Sequence, residues 1–361
     1  LLMNDTTTNK DTTSTAVNWI LALDQIDLSR VAFAIQIPDD SLRLSTYIGK
    51  AGLADGIADL GSARYSASRF LLSESSLSYD GGNSDPTPRF DPTHIALSDV
   101  NIQIDSLLYG DRNVHARLKE FSAHDRSGLT ISSLTGNISC DSAMIQVPEL
   151  LLQTPYSEIR LLATVPWSSF DDTPSGTLRT LLTATVGKED VFLFADPLPQ
   201  EFKQAYPQKD ISLTAGVEGN LAALRLRQLK GRLPGVFDLN ITGEIKNIPD
   251  SIHRSGKFQL EAQTGNLDFV LNTLPEPERS RYNLPSMKLK GEVALQNQEY
   301  QANLLLTQSE GKIELTARYN PAQESYLADL KIDSLKPTDF LPQDSLYHLT
   351  ASIRAVGKGY D

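Results

Sequence analysis

A Leu-Pro pair recurs three times in the C-terminal half of the chain, each time between a short segment containing aspartate and phenylalanine and a run of alternating residues. The pairs are Leu198-Pro199, Leu274-Pro275 and Leu341-Pro342, so the steps between their leucines cover 76 and 67 positions. A repeat of this length is typical of stacked β units, because one unit alone cannot bury its apolar side and leans on its neighbours. Such an array forms extended surfaces more readily than a catalytic centre.

Alternation of apolar and polar residues with a period of two runs through the chain from Val17 onward. Examples are Val31-Phe33-Ile35 and Val100-Ile102-Ile104, and turn signals such as Gly136-Asn137 separate the runs. Strand-sized runs recur about every 8 to 15 residues without a long helical period, which excludes a doubly wound α/β fold. The sequence therefore predicts a mostly β fold: an elongated, curved and twisted antiparallel β-repeat that forms a taco-like groove, with a few short helices at the repeat boundaries.

Four segments are predicted as short helices: Glu189–Phe194, Pro199–Ala205, Asp268–Asn272 and Thr338–Leu341. At one or two turns each, they would be marginal in isolation. We expect them to persist only by packing aromatic rings onto an end of the adjacent sheet. The rings concerned are Phe192, Phe202, Phe269 and Phe340.

Shifts in composition divide the chain into four predicted parts. Residues 1–16 are polar and low in complexity, which indicates a disordered linker. Residues 17–84 form a first β block and, beginning at a proline-rich stretch, residues 85–187 form a second. Residues 188–361 form the repeated units of short helix and β-strands. The chain stops in mid-pattern, so we interpret it as a fragment of a longer protein whose targeting or anchoring segment lies elsewhere.

The charge balance and the cysteine content exclude several classes of partner. Asp and Glu number 45 against 33 for Lys and Arg, which gives a net charge of −12. This balance disfavours nucleic acid and an anionic membrane surface as main partners. Cys140 is the only cysteine, so neither an intrachain disulfide nor a multi-cysteine metal site is possible.

The sequence carries no recognisable catalytic signature. The five histidines lack the spacing of metal ligands, and the motifs of serine hydrolases, P-loops and dinucleotide-binding folds are absent. The carboxylate pairs Asp39-Asp40, Asp171-Asp172 and Glu276/Glu278 lie in turn-like surroundings, which are typical of solvated loops. We therefore expect a non-enzymatic protein without a cofactor or metal. A hydrolase with dispersed carboxylates is a third hypothesis, behind the two given below.

The functional feature that remains is an amphipathic sheet surface, which the alternation of apolar and polar residues predicts. A closed β-sandwich would bury the apolar face, whereas an open, curved sheet would leave it lining a groove. Each methylene of an acyl chain buried there is worth roughly 0.8 kcal/mol, so a lipid needs no specific polar anchor. The predicted groove-lining residues are Leu213, Ala215, Val217, Leu289, Val293, Leu304, Leu306, Leu315 and Ala317.

Several stretches share one recurring pattern of strands and corners: Phe90–Asn101, Leu134–Ile138, Leu152–Ile159, Leu193–Pro199 with Phe202–Pro207, and Val217–Leu221. They resemble the AsmA-like/TamB superfamily of cell-envelope proteins as found in Bacteroides-type bacteria. The resemblance implies a very long protein that is anchored in the inner membrane, crosses the periplasm and carries a hydrophobic groove in a twisted, taco-shaped β-structure. It also implies a role in lipid transport between the two membranes or in outer-membrane protein assembly.

The leading hypothesis is thus a periplasmic β-groove segment that shields lipid acyl chains, or nascent outer-membrane protein strands, during transport and assembly. Its expected partners are acyl chains and, through regions outside this chain, an outer-membrane assembly protein; nucleic acid is not expected. The alternative is a surface or periplasmic β-repeat adhesin or glycan-binding module. The arrangement of the strands separates these hypotheses, because a conduit needs an open sheet with an accessible apolar face.

Overall fold

One antiparallel sheet of nineteen strands organises the chain in the computed structural model, which describes residues 19–37, 42–81, 85–110, 112–195, 198–343 and 345–359. The predicted linker 1–16 and the pair Asp39-Asp40 lie outside these residues. Pairing follows chain order throughout, with the two-residue β6 beside β5 and β7. The strands are β1 (Ile20–Ile37), β2 (Leu42–Asp59), β3 (Arg64–Gly81), β4 (His94–Gly110), β5 (Asn113–Asp125), β6 (Thr130–Ile131), β7 (Ser133–Cys140), β8 (Met144–Gln153), β9 (Glu158–Pro166), β10 (Leu178–Val186), β11 (Ile211–Gly219), β12 (Ala223–Leu233), β13 (Phe237–Lys246), β14 (Ser255–Thr264), β15 (Lys288–Gln296), β16 (Glu299–Gln308), β17 (Gly311–Asn320), β18 (Ser325–Leu335) and β19 (Leu349–Lys358).

The predicted fold class is confirmed: the chain is mostly β, and it forms one long, open antiparallel sheet with few short helices. Its accessible surface is 23107 Å², whereas a compact protein of this mass exposes about 14,000 Å². Only eight hydrophobic residues among those described are buried. A second sheet packed about 10 Å away would have buried a whole layer of side chains. The structure is therefore a single layer and not a sandwich.

The threefold repeat corresponds to blocks of four strands. Strands β11 to β14 lie between Leu198 and Leu274, and β15 to β18 lie between Leu274 and Leu341. Strands in both blocks are nine to eleven residues long. The difference between the two repeat steps therefore lies in the connections and not in the sheet.

The helices begin and end within one or two residues of the predicted positions, which is the usual uncertainty of helix boundaries. The α-helices are α1 (Lys188–Phe194), α2 (Gln200–Ala205) and α3 (Asp268–Leu271). Three-residue 3-10 helices span Trp167–Ser169, Arg279–Arg281 and Pro337–Asp339, the last of them in the segment predicted as Thr338–Leu341. Pro199 immediately precedes α2 as its N-cap residue.

The alternating strand directions give the sheet two long margins with different connections. The helix margin holds the connections that follow β3, β8, β10, β12, β14, β16 and β18, together with the one between β5 and β7, and it carries all three α-helices. The turn margin holds the connections that follow β2, β4, β7, β9, β11, β13, β15 and β17, most of them short. Asn297 and Gln298, for example, join β15 to β16 with φ values of 50° and 63°, the left-handed conformation that two-residue hairpins require.

The sheet runs without interruption across residues 84 and 187, where the sequence divides the β blocks. Tyr79 of β3 pairs with Ile95 of β4, and Val186 of β10 pairs with Ile211 of β11. The proline-rich stretch that begins at Asp85 is a loop of the helix margin. Its Phe90 packs against Phe194 of α1, with the ring centroids 5.3 Å apart.

Three mid-strand glycines show toward which side the sheet bends. A Cβ added at Gly291 would lie under 3.0 Å from the carbonyl oxygen of Asn303, and one at Gly243 equally close to that of Lys257. Gly136 of β7 is crowded in the same way by β8. At each site the added Cβ would point to the face that carries the apolar side chains. Because backbone atoms of the neighbouring strand already occupy that position, the neighbouring strand is displaced toward that face. We infer that the sheet bends toward its apolar side at these points.

The contacts of α1 join three connections of the helix margin. Phe90, in the loop before β4, donates its N–H to the carbonyl of Leu193 (3.3 Å). Thr154, in the β8–β9 turn, donates its hydroxyl to Asp190 of the same helix. The helix therefore links connections that are distant in sequence.

Replacing Gly291 with alanine tests whether close strand approach sets this curvature. We expect Gly291→Ala to lower the free energy of unfolding by about 1–3 kcal/mol, because the added methyl overpacks against β16. Gly231→Ala is the matched control on the same face, since its nearest neighbouring atom would be an ordinary 3.6 Å away. Urea unfolding followed by circular dichroism measures both, and equal stabilities of the two variants would contradict the interpretation.

Candidate apolar groove

All nine predicted groove residues lie on one face of the sheet. Residues that pair directly across antiparallel strands share a face, as do residues two apart on one strand. Following the pairings from β11 to β17 joins the nine into three rows that cross seven strands. The rows contain Leu213, Leu289 and Leu306; Ala215, Leu304 and Leu315; and Val217, Val293 and Ala317.

This apolar face carries no charge over more than half of the sheet. From β9 to β19, no Asp, Glu, Lys or Arg occupies a paired position on the face of Leu213. Large residues that the sequence reasoning left out extend the same rows. They include Leu229, Leu239, Ile241, Phe258, Leu260, Ile313, Leu330 and Ile332.

The charged residues occupy the opposite, polar face, where they form ion pairs between strands. Glu218 lies between Arg179 (3.2 Å) and Arg227 (2.6 Å), and Lys290 lies 3.1 Å from Glu261. Hydrogen bonds from Arg227 and then Arg179 lower the pKa of Glu218 below its usual value. Exposed pairs of this kind stabilise little. Their main effect is to keep this face in water, so the other face is the one available for an apolar ligand.

The apolar face is accessible and large. Eight of the nine predicted residues are half-buried, and Val293 is 39% exposed. Strands of nine to eleven residues are about 30 Å long, and the eleven strands from β9 to β19 extend over about 50 Å. Monomeric soluble proteins rarely expose apolar patches above a few hundred Å². A face of this extent indicates a binding surface.

Aromatic side chains close one border of this face, at the helix margin. Tyr206, Leu233 and Val236 form a buried cluster, and Phe202 and Phe269 pack on it with their ring centroids 5.3 Å apart. Burial raises the pKa of the Tyr206 hydroxyl. The remaining residues packed on the cluster are Phe192, Ile211, Phe237 and Leu267. We call this set the aromatic plug.

Phe192, Phe202 and Phe269 pack at this end of the sheet, as the sequence predicts. The packing of the Phe340 ring onto the adjacent sheet stays a prediction. Phe340 follows the last 3-10 helix, and its carbonyl accepts the N–H of Asn283 (2.8 Å). The connection after β18 is thereby joined to the connection after β14.

Buried polar contacts at the helix margin are features that the sequence reasoning missed. Asp190 of α1 is buried, and its carboxylate accepts hydrogen bonds of 2.5 Å from the hydroxyls of both Thr154 and Ser157. Gln308, at the end of β16, is buried and donates to Asp339. The sequence did carry a signal for these contacts, because Asp190 and Asp339 both belong to the repeated aspartate-phenylalanine segments.

A hollow of about 640 Å³ lies on the polar face of β11 to β15. Lys230, Arg232, Lys288 and Lys290 line it together with acidic residues. Because two of these cations are already paired, Arg232 with Asp238 and Lys290 with Glu261, we interpret it as space between long solvated side chains.

Side chains with potential chemistry are scattered or engaged in the parts that the structure describes. No three His, Cys, Asp or Glu residues there come together as metal ligands. Glu276 pairs with Arg279 (2.8 Å), and His124 bonds the Thr130 hydroxyl (3.0 Å). Cys140, half-buried, faces the apolar side opposite Ile145. None of the helices in the described ranges is long and apolar enough to cross a membrane.

Comparison of the chain with protein-family models, with curated proteins and with solved structures gives no match. The evidence on function therefore comes from the chain's own residues and geometry.

Leu233 tests whether the aromatic plug holds the helix margin. Its side chain is 1% exposed, and we expect Leu233→Ala to lower the free energy of unfolding by about 2–5 kcal/mol, because it leaves a cavity. Val356→Ala is the control, since Val356 is 67% exposed and should change stability by less than about 0.5 kcal/mol. Thermal unfolding of both variants decides, and similar losses would show that the plug is not a centre of stability.

Asp91 should make the helix margin sensitive to acid. Its carboxylate accepts hydrogen bonds from the Thr93 hydroxyl (2.7 Å), from backbone N–H groups and from the His94 ring. These bonds, first that of Thr93, hold the pKa of Asp91 far below its usual value of 3.8. A lowered pKa stabilises the fold fully above the unfolded value, and this contribution is lost as pH falls below about 4 toward the folded value.

We therefore expect the melting temperature of the wild-type protein to fall more steeply between pH 5 and pH 2.5 than that of Asp91→Asn. Asp210→Asn is the control, because Asp210 is exposed and should leave the slope unchanged. Calorimetry across this pH range gives the comparison. Parallel curves for wild type and Asp91→Asn would contradict the assignment.

Proposed function

We propose that the chain is a non-enzymatic segment of an envelope protein that shields lipid acyl chains in an apolar β-groove. The observation that carries the proposal is the uncharged face shared by β9 to β19, toward which the sheet bends. A face without charged side chains at its paired positions, and with few polar ones, suits a ligand that lacks polar groups along its length. An acyl chain is such a ligand.

The energetics favour a long, continuous ligand over a compact one. Each methylene transferred from water to an apolar surface gains roughly 0.8 kcal/mol. A chain of fourteen carbons thus gains on the order of 10 kcal/mol before the costs of association. Because similar rows of Leu, Ile, Val and Ala repeat on successive strands, neighbouring positions along the sheet are nearly equivalent. Near equivalence allows a ligand to move from one position to the next.

The cellular setting is part of the same proposal. The resemblance to AsmA-like/TamB envelope proteins supports a periplasmic location, with the inner-membrane anchor and the outer-membrane assembly partner in regions outside this chain. Nascent outer-membrane protein strands are a second cargo that the apolar face would suit. Their backbone groups would need a strand edge of the sheet, because most side chains of the face along β9 to β19 are apolar and offer them no hydrogen bonds.

A glycan-binding module is the second candidate function, and pairs of exposed tyrosines favour it. Tyr300 and Tyr319 stack with ring centroids 6.5 Å apart, and Tyr300 is 49% exposed. Exposed aromatic rings are the usual platforms for sugars. A glycan array with clear hits, combined with no recovery of lipid, would favour this candidate over the groove.

Adjacent residues of β16 offer a matched test of the groove. Leu306 lies on the apolar face and Leu305 on the polar face of the same strand. We expect a photo-crosslinking amino acid at Leu306, or at Leu213, to capture phospholipid after detergent-free purification. Adducts at these positions should exceed those at Leu305 by about tenfold, because a chain on the polar face would lose its burial. Native mass spectrometry identifies the adducts.

Absence of lipid adducts at both apolar positions would contradict the proposal. Equal yields at Leu305 and Leu306 would also contradict it, because they would indicate adsorption without regard to face. Circular dichroism of each variant establishes that the sheet is formed before the yields are compared.

A further inference from the structure

Five tyrosines lie at one border of the apolar face, along the turn margin. Tyr65 and Tyr109 pair directly near the ends of β3 and β4. Tyr300, Tyr319 and Tyr326 pair in sequence across β16, β17 and β18. The register places all five on the same face as Leu304 and Leu315. Tyrosine thus marks this border at two places in the sheet.

Four of the five tyrosines are exposed, and two pairs of rings stack. The rings of Tyr65 and Tyr109 stack with centroids 6.2 Å apart at an interplanar angle of 27°. Tyr109 is 59% exposed, Tyr300 49% and Tyr326 45%. The hydroxyl end of Tyr326 lies over Gly357 of β19, in the space that a Cβ there would occupy. This border of the face therefore combines apolar ring surfaces with hydroxyl groups.

The opposite border of the same face has a different chemistry. At the helix end of β16 to β18, Gln308 is buried and its side-chain amide donates to Asp339, and the aromatic plug lies farther along the same margin. A polar group buried at this border would lose its hydration. Tyrosine, in contrast, is the residue that occupies boundaries where one end is apolar and the other wet. The two margins are thus unequal for an amphipathic ligand.

We propose that the turn margin is the open side of the groove, at which the polar head group of a bound lipid lies among the tyrosines of β16 to β18. The acyl chains extend from there across the apolar rows of the same strands toward the helix margin. This inference rests on the proposed lipid groove and adds the orientation of the lipid and the route by which it enters. Entry at the turn margin keeps the head group hydrated, whereas entry at the helix margin of these strands would require displacement of the buried Gln308 and of the connection that holds Asp339.

Two photoreactive phospholipids test the orientation. One carries a diazirine on its ethanolamine head group, and the other carries a diazirine at the methyl end of one acyl chain. We expect the head-group probe to label peptides around Tyr300 and Tyr326, and the tail probe to label peptides around Leu306 and Ile313. A reversed pattern, or equal labelling of both margins by both probes, would overturn the orientation and leave the groove intact. No adduct on the apolar face from either probe would overturn the groove and the orientation together.

Removal of hydroxyl groups tests the role of the tyrosines separately. Tyr300→Phe and Tyr326→Phe keep the rings, so folding is preserved, and each should weaken binding of the head-group probe by about fivefold, as expected for a lost hydrogen bond. Tyr347→Phe is the control, because Tyr347 is 71% exposed and lies outside the strands. Unchanged binding in the Tyr300→Phe/Tyr326→Phe double variant would overturn the role of the tyrosines. Displacement of both probes by a soluble glycan would overturn the orientation in favour of sugar recognition.

Discussion

The register between neighbouring strands is the constraint on which the rest of the structure depends. A slip of one residue between two strands would move every side chain of one strand to the other face. Here the pairings keep Leu213, Leu289 and Leu306 in one row, although 93 positions separate the first from the last. The same pairings bring Lys290 to Glu261 and Arg232 to Asp238 on the other side. Apolar burial and charge pairing therefore select the same register.

A single-layer sheet buries few side chains, so its stability depends on interactions other than a large hydrophobic core. The backbone ladder satisfies the hydrogen bonds of the central strands, as any sheet does. The helix margin adds the aromatic plug and the bonds of Asp190, which join connections that are distant in sequence. The apolar face itself remains half-exposed. A bound apolar ligand would replace the second layer that other β folds supply for themselves, and ligand binding and stability would then be linked.

The bend of the sheet connects sequence to the proposed groove. Gly136, Gly243 and Gly291 lie on the apolar face where neighbouring strands approach too closely for a Cβ. A larger residue at these positions would force the strands apart and flatten the sheet locally. Flattening would spread the apolar rows and reduce the contact that a chain-like ligand makes with them. The curvature and the apolar surface of the sheet would therefore both favour contact with the same chain-like ligand.

Sequence reasoning was most successful where the cause is local. The period-two alternation indicated strands, and the Asp-Phe and Leu-Pro segments indicated short helices, because backbone geometry and side-chain direction act over a few residues. The same alternation identified nine residues that share one face. It could not identify the hydrogen bond between Asn283 and Phe340, because that depends on which connections are neighbours along the margin. It also missed Asp190 and the tyrosine border, since their partners are distant in sequence.

By itself, the sequence determined that the chain is a repetitive antiparallel β protein with short helices at its unit boundaries and with strands in which apolar and polar residues alternate. Only the tertiary structure decided that all the strands join one open sheet, that no second layer covers the apolar face in the described ranges, and that the two margins differ. The physical reason is that alternation fixes which side chains lie together on each strand, whereas register, curvature and the choice of neighbours are set by contacts between strands far apart in the chain.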